Sequence, residues 1–143
     1  MLGAQLMNSV PGVSDCMPDW SFRDTFSTPE GMRAIIRRML QTAQTQLPMQ
    51  EETWYDLKII LHELCSNALE HGKSPVELFA AVCRRDLCLH ILVLDSGKGF
   101  CPQECMFPSV EEERGRGLCI VNSLADDLVF NSSANKVLVR LHI

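Results

Sequence analysis

Leu61-His62-Glu63-Leu64-Cys65-Ser66-Asn67-Ala68-Leu69-Glu70-His71-Gly72 is the stretch around which the rest of the chain makes sense. Residues three and four apart are neighbours on a helical surface, so Glu63, Asn67 and Glu70 fall on one stripe. The other stripe is apolar. Trp54, Leu57, Leu61, Leu64 and Ala68 keep the helical period, which predicts a helix from about Gln50 to His71 that buries one side and offers a carboxylate and a carboxamide on the other. Gly72 stands where a left-handed residue commonly ends a helix. By itself such a polar stripe is an ordinary solvated face, and its meaning depends on what the chain brings to it.

Upstream of the helix, Trp20, Phe22 and Phe26 alternate with Ser21, Arg23 and Thr25, the pattern of a half-buried strand, although Asp24 interrupts the apolar face. Ser27, Thr28, Pro29 and Glu30 then supply a capping hydroxyl, a first-turn proline and an early acid. Met32, Ile35, Ile36, Met39, Leu40, Ala43 and Leu47 follow at helical spacing, giving a first amphipathic helix to about Gln46 that Pro48 ends. Residues 1–19 hold Gly, Pro, Ser and Asn without a sustained period and read as a flexible tail, leaving residues 20–143 as one domain.

Downstream, Val76–Cys83 and Leu87–Leu94 are apolar runs separated by Arg84, Arg85 and Asp86, which predicts a β-hairpin. Its second strand runs directly into Asp95-Ser96-Gly97-Lys98-Gly99-Phe100, a turn whose glycines permit close approach of a ligand. Asp before Gly is also an ordinary turn. Residues 101–114, with Pro102, Pro108 and the acidic run Glu111–Glu113, read as a loop. A helix is expected from Gly115-Arg116-Gly117 to near Asp127, with Leu118, Val121, Leu124 and Ala125 on its buried side. Its free amides and positive dipole end suit a phosphate, and Arg114 and Arg116 add charge beside them. Leu128–Asn131 and Val137–Ile143 read as two last strands around a turn at Ser132–Asn135. Hairpins with helices segregated between them predict an α+β fold, a two-layer sandwich in which helices cover one face of a mixed, largely antiparallel sheet.

Composition narrows the function. A chain of 143 residues with 46% hydrophobic and 22% charged residues has the size and balance of one soluble globular domain. A formal net charge of -5 argues against a phosphate-backbone binder, so nucleic acid is not an expected partner. No apolar run approaches the ~20 residues that span a bilayer, and the amino terminus lacks the pattern of a secretory signal, so no membrane association and a cytoplasmic location are expected. The seven cysteines are an odd number scattered through predicted helices and strands, which suits reduced thiols acting as small apolar fillers. Cys101 and Cys105 could form half a metal site, but no second pair and no histidine stand at ligand spacing.

Three pieces occur in a particular order: Glu63-x-x-x-Asn67-Ala68 ending in His71-Gly72, then Asp95-x-Gly97-x-Gly99-Phe100, then Arg114-Gly115-Arg116-Gly117-Leu118. Together they resemble the N, G1 and G2 boxes of the GHKL (histidine kinase-like) ATPases, whose nucleotide site is the Bergerat ATP-binding fold, and most nearly those of bacterial anti-sigma factor serine/threonine kinases. The likeness covers about residues 20–143.

The resemblance implies ATP and Mg²⁺ as cofactors, with Asn67 as the metal ligand and Glu63 as the base that orients or deprotonates the attacking hydroxyl. It implies that Asp95 accepts a hydrogen bond from the adenine amine, and that Gly97 and Gly99 let the turn lie against base and ribose. Gly115 and Gly117 would offer amides to the phosphates, and Arg114 would meet the terminal phosphate as charge builds during transfer. His71, Phe100, Arg116 and Leu118 complete the implied nucleotide-binding set, although a histidine at a helix end is also an ordinary cap. Implied partners are a STAS-type anti-anti-sigma protein, a sigma factor and a second copy in a homodimer. One departure stands out: Asn135-Lys136 occupies the region where the family commonly has Gly-Thr. Two functions follow as expectations, a protein serine/threonine kinase acting in partner switching, and a non-catalytic ATP-binding module that sequesters a protein partner.

Overall fold

β1 (Trp20–Phe26) forms one edge of a five-stranded sheet in a computed structural model that describes residues 18–83, 85, 87–97, 116–130 and 135–143, the side chain of Arg116 excepted. The predicted tail through residue 17, the 98–115 segment and residues 131–134 lie outside the described residues. Asp24, which breaks the apolar alternation of β1, is ion-paired with Arg38 of the first helix, and the Arg38 guanidinium also lies 5.5 Å from the Phe22 ring centroid. A strand-to-helix contact thus absorbs the irregular residue.

α1 (Pro29–Gln46) starts as its sequence requires. The Thr28 backbone is extended, its Oγ1 accepts a hydrogen bond from Gly31 N at 3.0 Å, and Pro29 occupies the first turn. α2 (Glu51–His71) follows, then β2 (Val76–Cys83) and β3 (Cys88–Leu94) as the expected hairpin. Leu87, expected to open the second strand, instead has φ 52° and sits in the turn, a left-handed conformation incompatible with the ladder.

α3 (Arg116–Leu124) is shorter than predicted. It ends before Asp127 because Asp126 N donates to the Arg140 carbonyl at 3.0 Å and Asp127 pairs with the Arg140 guanidinium at 3.0 Å, drawing the chain into β4 (Asp127–Phe130). β5 (Lys136–His142) completes the sheet. The order is β1-β2-β3-β5-β4, and all of these neighbours are antiparallel, as the expected largely antiparallel sheet requires.

Alternation decides the layers. Leu78, Ala80, Ile91 and Val139 point to the helices and join Ile36, Met39, Ile60, Leu61, Leu64 and Val121 in the main core. Phe79, Ala81, Leu92 and Leu138 point the other way and form a second buried cluster. Both faces of β2 and β3 are therefore buried, which is why their sequences run almost continuously apolar. Among the described residues no helix is long and apolar enough to cross a membrane.

Candidate functional site

The site is built on α2. Leu57, Ile60, Leu61, Leu64, Cys65 and Ala68 bury one side of this helix, and that burial turns Glu63 and Asn67 to the other side, where both are half-buried. Glu70, expected on the same stripe, is 71% exposed and lies 3.7 Å from His71 Nε2. Glu63 and Asn67, one helical turn apart, thus form the partly sheltered polar pair.

At the C-terminal end of α2 the chain meets the turn that follows β3. Asp95 N donates to the Asn135 carbonyl at 3.0 Å, while Asp95 Oδ1 accepts from Gly97 N at 2.6 Å and from Lys73 N at 3.4 Å. Ser96 N donates to the Lys73 carbonyl at 2.8 Å, and Ser96 Oγ donates to the Pro75 carbonyl at 3.1 Å. These bonds fix the Asp95 carboxylate to the helix end through one oxygen. Among the described residues Oδ2 carries no such bond, so it is the oxygen left to accept from a ligand.

Gly72 makes this approach possible, by a route other than the predicted one. Its φ of -94° and ψ of -158° are extended rather than left-handed. The requirement is spatial: a Cβ there would lie 2.4 Å from Asp95 Cγ and 2.6 Å from the Ala68 carbonyl oxygen. Gly97 is similar, since a Cβ on it would lie 2.8 Å from Asp95 Oδ1 and 3.2 Å from Lys73 N. Both glycines leave room for the carboxylate rather than supply unusual dihedrals.

The first turn of α3 meets α2 farther back. A Cβ on Gly117 would lie 2.3 Å from Glu63 Oε2, so the Glu63 carboxylate occupies the space left by the missing side chain. Leu118, implied as part of the binding set, is 1% exposed in the main core, where it anchors this turn. Gly99, Phe100, Arg114, Gly115 and the side chain of Arg116 lie outside the described residues.

Glu63 and Gly72 are separated by nine residues of helix, or roughly 14 Å at the helical rise, with Asn67 between them. An extended nucleoside triphosphate has a length of this order. The arrangement can therefore seat a base at Asp95 and its phosphates along α2 toward Gly117. Asn67 could offer a neutral hard oxygen to a Mg²⁺ ion, which favours oxygen ligands. The residues present fit both groups.

Sequence reasoning assigned no role to Asn135 beyond noting the departure from Gly-Thr. In the structure Asn135 holds the Asp95 turn from the sheet side, its carbonyl accepting from Asp95 N and its Nδ2 donating to the Gly97 carbonyl at 3.3 Å. A carboxamide at the opening of the last strand was the available signal, because β5 lies beside β3 and so beside the turn. A family model described as a histidine kinase-like ATPase domain matches residues 26–143. A search of curated proteins finds no match.

Proposed function

Since the chain belongs to the histidine kinase-like ATPase domain family, we propose that it is an ATP-dependent protein serine/threonine kinase of the anti-sigma-factor type, acting in the cytoplasm on a STAS-type anti-anti-sigma partner and alternately binding a sigma factor. The observation that carries this reading is the Glu63 carboxylate, packed against the glycine-bearing start of α3 and one turn from Asn67.

Asp95 holds the adenine end: a carboxylate accepts from the exocyclic amine of adenine and meets only an oxygen at that position of guanine. Asn67 would hold Mg²⁺, which supplies charge neutralisation between the phosphates. Glu63, packed against Gly117, would serve as the base: it would accept the proton of an attacking serine or threonine hydroxyl as that oxygen bonds to the terminal phosphorus and ADP departs. The Gly117 region offers backbone at a helix N-terminus to the phosphates. Positioning supplies most of the rate advantage, because phosphoryl transfer asks for little covalent help from the protein.

A second reading, a non-catalytic ATP-binding module that sequesters its partner, draws on Asn135-Lys136 in place of Gly-Thr. One experiment separates the two. With terminally labelled ATP, Mg²⁺ and a STAS-domain protein as acceptor, the kinase transfers label to a serine or threonine, and Glu63→Gln abolishes transfer while ATP affinity stays within about threefold of wild type. Transfer by Glu63→Gln at the wild-type rate would overturn the base assignment. ATP binding by the wild type without any transfer would favour the module.

A further inference from the structure

At the far end of the sheet from Asp95, three side chains with chemistry of their own stand in one row. Cys83 on β2 is directly opposite Cys88 on β3, and Cys88 is directly opposite His142 on β5. Directly opposed residues project to the same face, which here is the face away from the helices. Cys88 Sγ lies 3.2 Å from His142 Nδ1. The His142 backbone is fixed in turn, its N–H donating to Asp126 Oδ2 at 2.5 Å.

We propose that Cys88 is a nucleophilic modification site that reacts with hydroperoxides and soft electrophiles, with His142 as its base and Cys83 as its resolving thiol. In the tautomer that leaves Nδ1 unprotonated, the imidazole can accept the thiol proton as the sulfur attacks, and the thiolate is the reactive form. Cys88 is half-buried and His142 exposed, so a small reagent reaches the sulfur while the pair stays in place.

With a hydroperoxide, the Cys88 thiolate attacks the terminal peroxide oxygen. The O–O bond breaks, the sulfur is oxidised to a sulfenic acid, and the peroxide is reduced to an alcohol, or to water from hydrogen peroxide, taking up the proton held by His142. The Cys83 thiol then attacks the sulfenic sulfur, the S–O bond breaks, and a disulfide and one water form. Opposed residues of an antiparallel pair have Cα atoms about 4.5–5.5 Å apart, inside the range that a disulfide bridges.

Two other cysteines among the described residues provide internal standards. Cys65 is buried in the core, which pushes its thiol up to about 12 and keeps it protonated and unreactive. Cys119 on α3 is half-buried, like Cys88, and serves as the comparator for access. The site is about 23 Å along β3 from Asp95, at ~3.3 Å per residue, so its chemistry is independent of the nucleotide reading.

The test is competitive alkylation of the intact reduced protein with limiting iodoacetamide at neutral pH, read peptide by peptide by mass spectrometry, followed by a hydrogen peroxide titration. Cys88 is expected to react at least about tenfold faster than Cys119. His142→Asn is expected to remove that advantage while leaving the Cys119 rate and the melting temperature unchanged. Peroxide is expected to give a Cys83–Cys88 disulfide in the wild type and a dimedone-reactive sulfenic acid at Cys88 in Cys83→Ser. Alkylation of Cys88 no faster than Cys119 in the wild type, a measurement that needs no variant to fold, would overturn the proposal. Unchanged Cys88 reactivity in a folded His142→Asn would overturn the role of the histidine, and a stable sulfenic acid in the wild type would overturn that of Cys83.

Discussion

A single methyl group distinguishes the two helix-facing glycines of the site. At Gly72 it would collide with the Ala68 carbonyl, which is backbone and cannot swing away, as well as with Asp95. Gly72→Ala is therefore expected to lower stability by about 1–3 kcal/mol and to weaken ATP binding by displacing Asp95. At Gly117 the closest atom is the far end of the Glu63 side chain. Gly117→Ala is expected to cost less than about 1 kcal/mol while moving Glu63 and cutting phosphate transfer at least about tenfold. Chemical denaturation and transfer assays on the same two variants check the contrast. Equal stability losses would contradict it.

A second residue-scale effect concerns Cys65, whose thiol burial raises from 9.0 to about 12. The fold holds the neutral thiol, whereas the unfolded chain ionises it above about pH 9. Its contribution is thus complete below pH 9 and is lost progressively as pH rises to about 12, a change on the order of 4 kcal/mol. Urea denaturation of wild type and Cys65→Ala across this window checks the sign: wild-type stability should fall more steeply with pH. Parallel pH dependences would refute it. At this scale the sequence was legible in kind and illegible in cause. Gly72 stood out by its place after a helical run, but its reason for being glycine is the Asp95 carboxylate, a contact between residues far apart in the chain.

Elements were the most legible level, because periodicity and caps are local. α1 ends at Gln46 as its spacing indicates, and the Thr28 hydroxyl caps it as its sequence indicates. Thr28→Ala is expected to cost about 1 kcal/mol, and Thr28→Ser to keep most of that, both read from urea midpoints. Equal stability of Thr28→Ala and wild type would show that the cap contributes nothing. Where element ends differed from expectation, a tertiary contact or a turn's backbone geometry decided them. α3 stops at Leu124 because Asp126 and Asp127 are engaged by Arg140 of β5. β3 starts at Cys88 because the turn takes Leu87 into the left-handed region.

At the scale of the whole molecule, the β2–β3 and β4–β5 hairpins follow from neighbouring apolar runs, but the pairings of β1 with β2 and β3 with β5 do not. Those long-range pairings create the site. They bring Asn135 to the Asp95 turn and set α2 between that turn and the start of α3. The order of the three motifs along the chain implied a common site, and among the described residues Gly72 approaches Asp95 and Gly117 approaches Glu63. Calorimetric titration of ATP with Mg²⁺ into the protein, with GTP and Asp95→Asn as controls, decides whether Asp95 selects adenine. Saturable binding of ATP, at least about tenfold weaker binding of GTP, and loss of that preference in Asp95→Asn are expected. Equal affinity for ATP and GTP, or an unchanged preference in Asp95→Asn, would contradict adenine selection by Asp95.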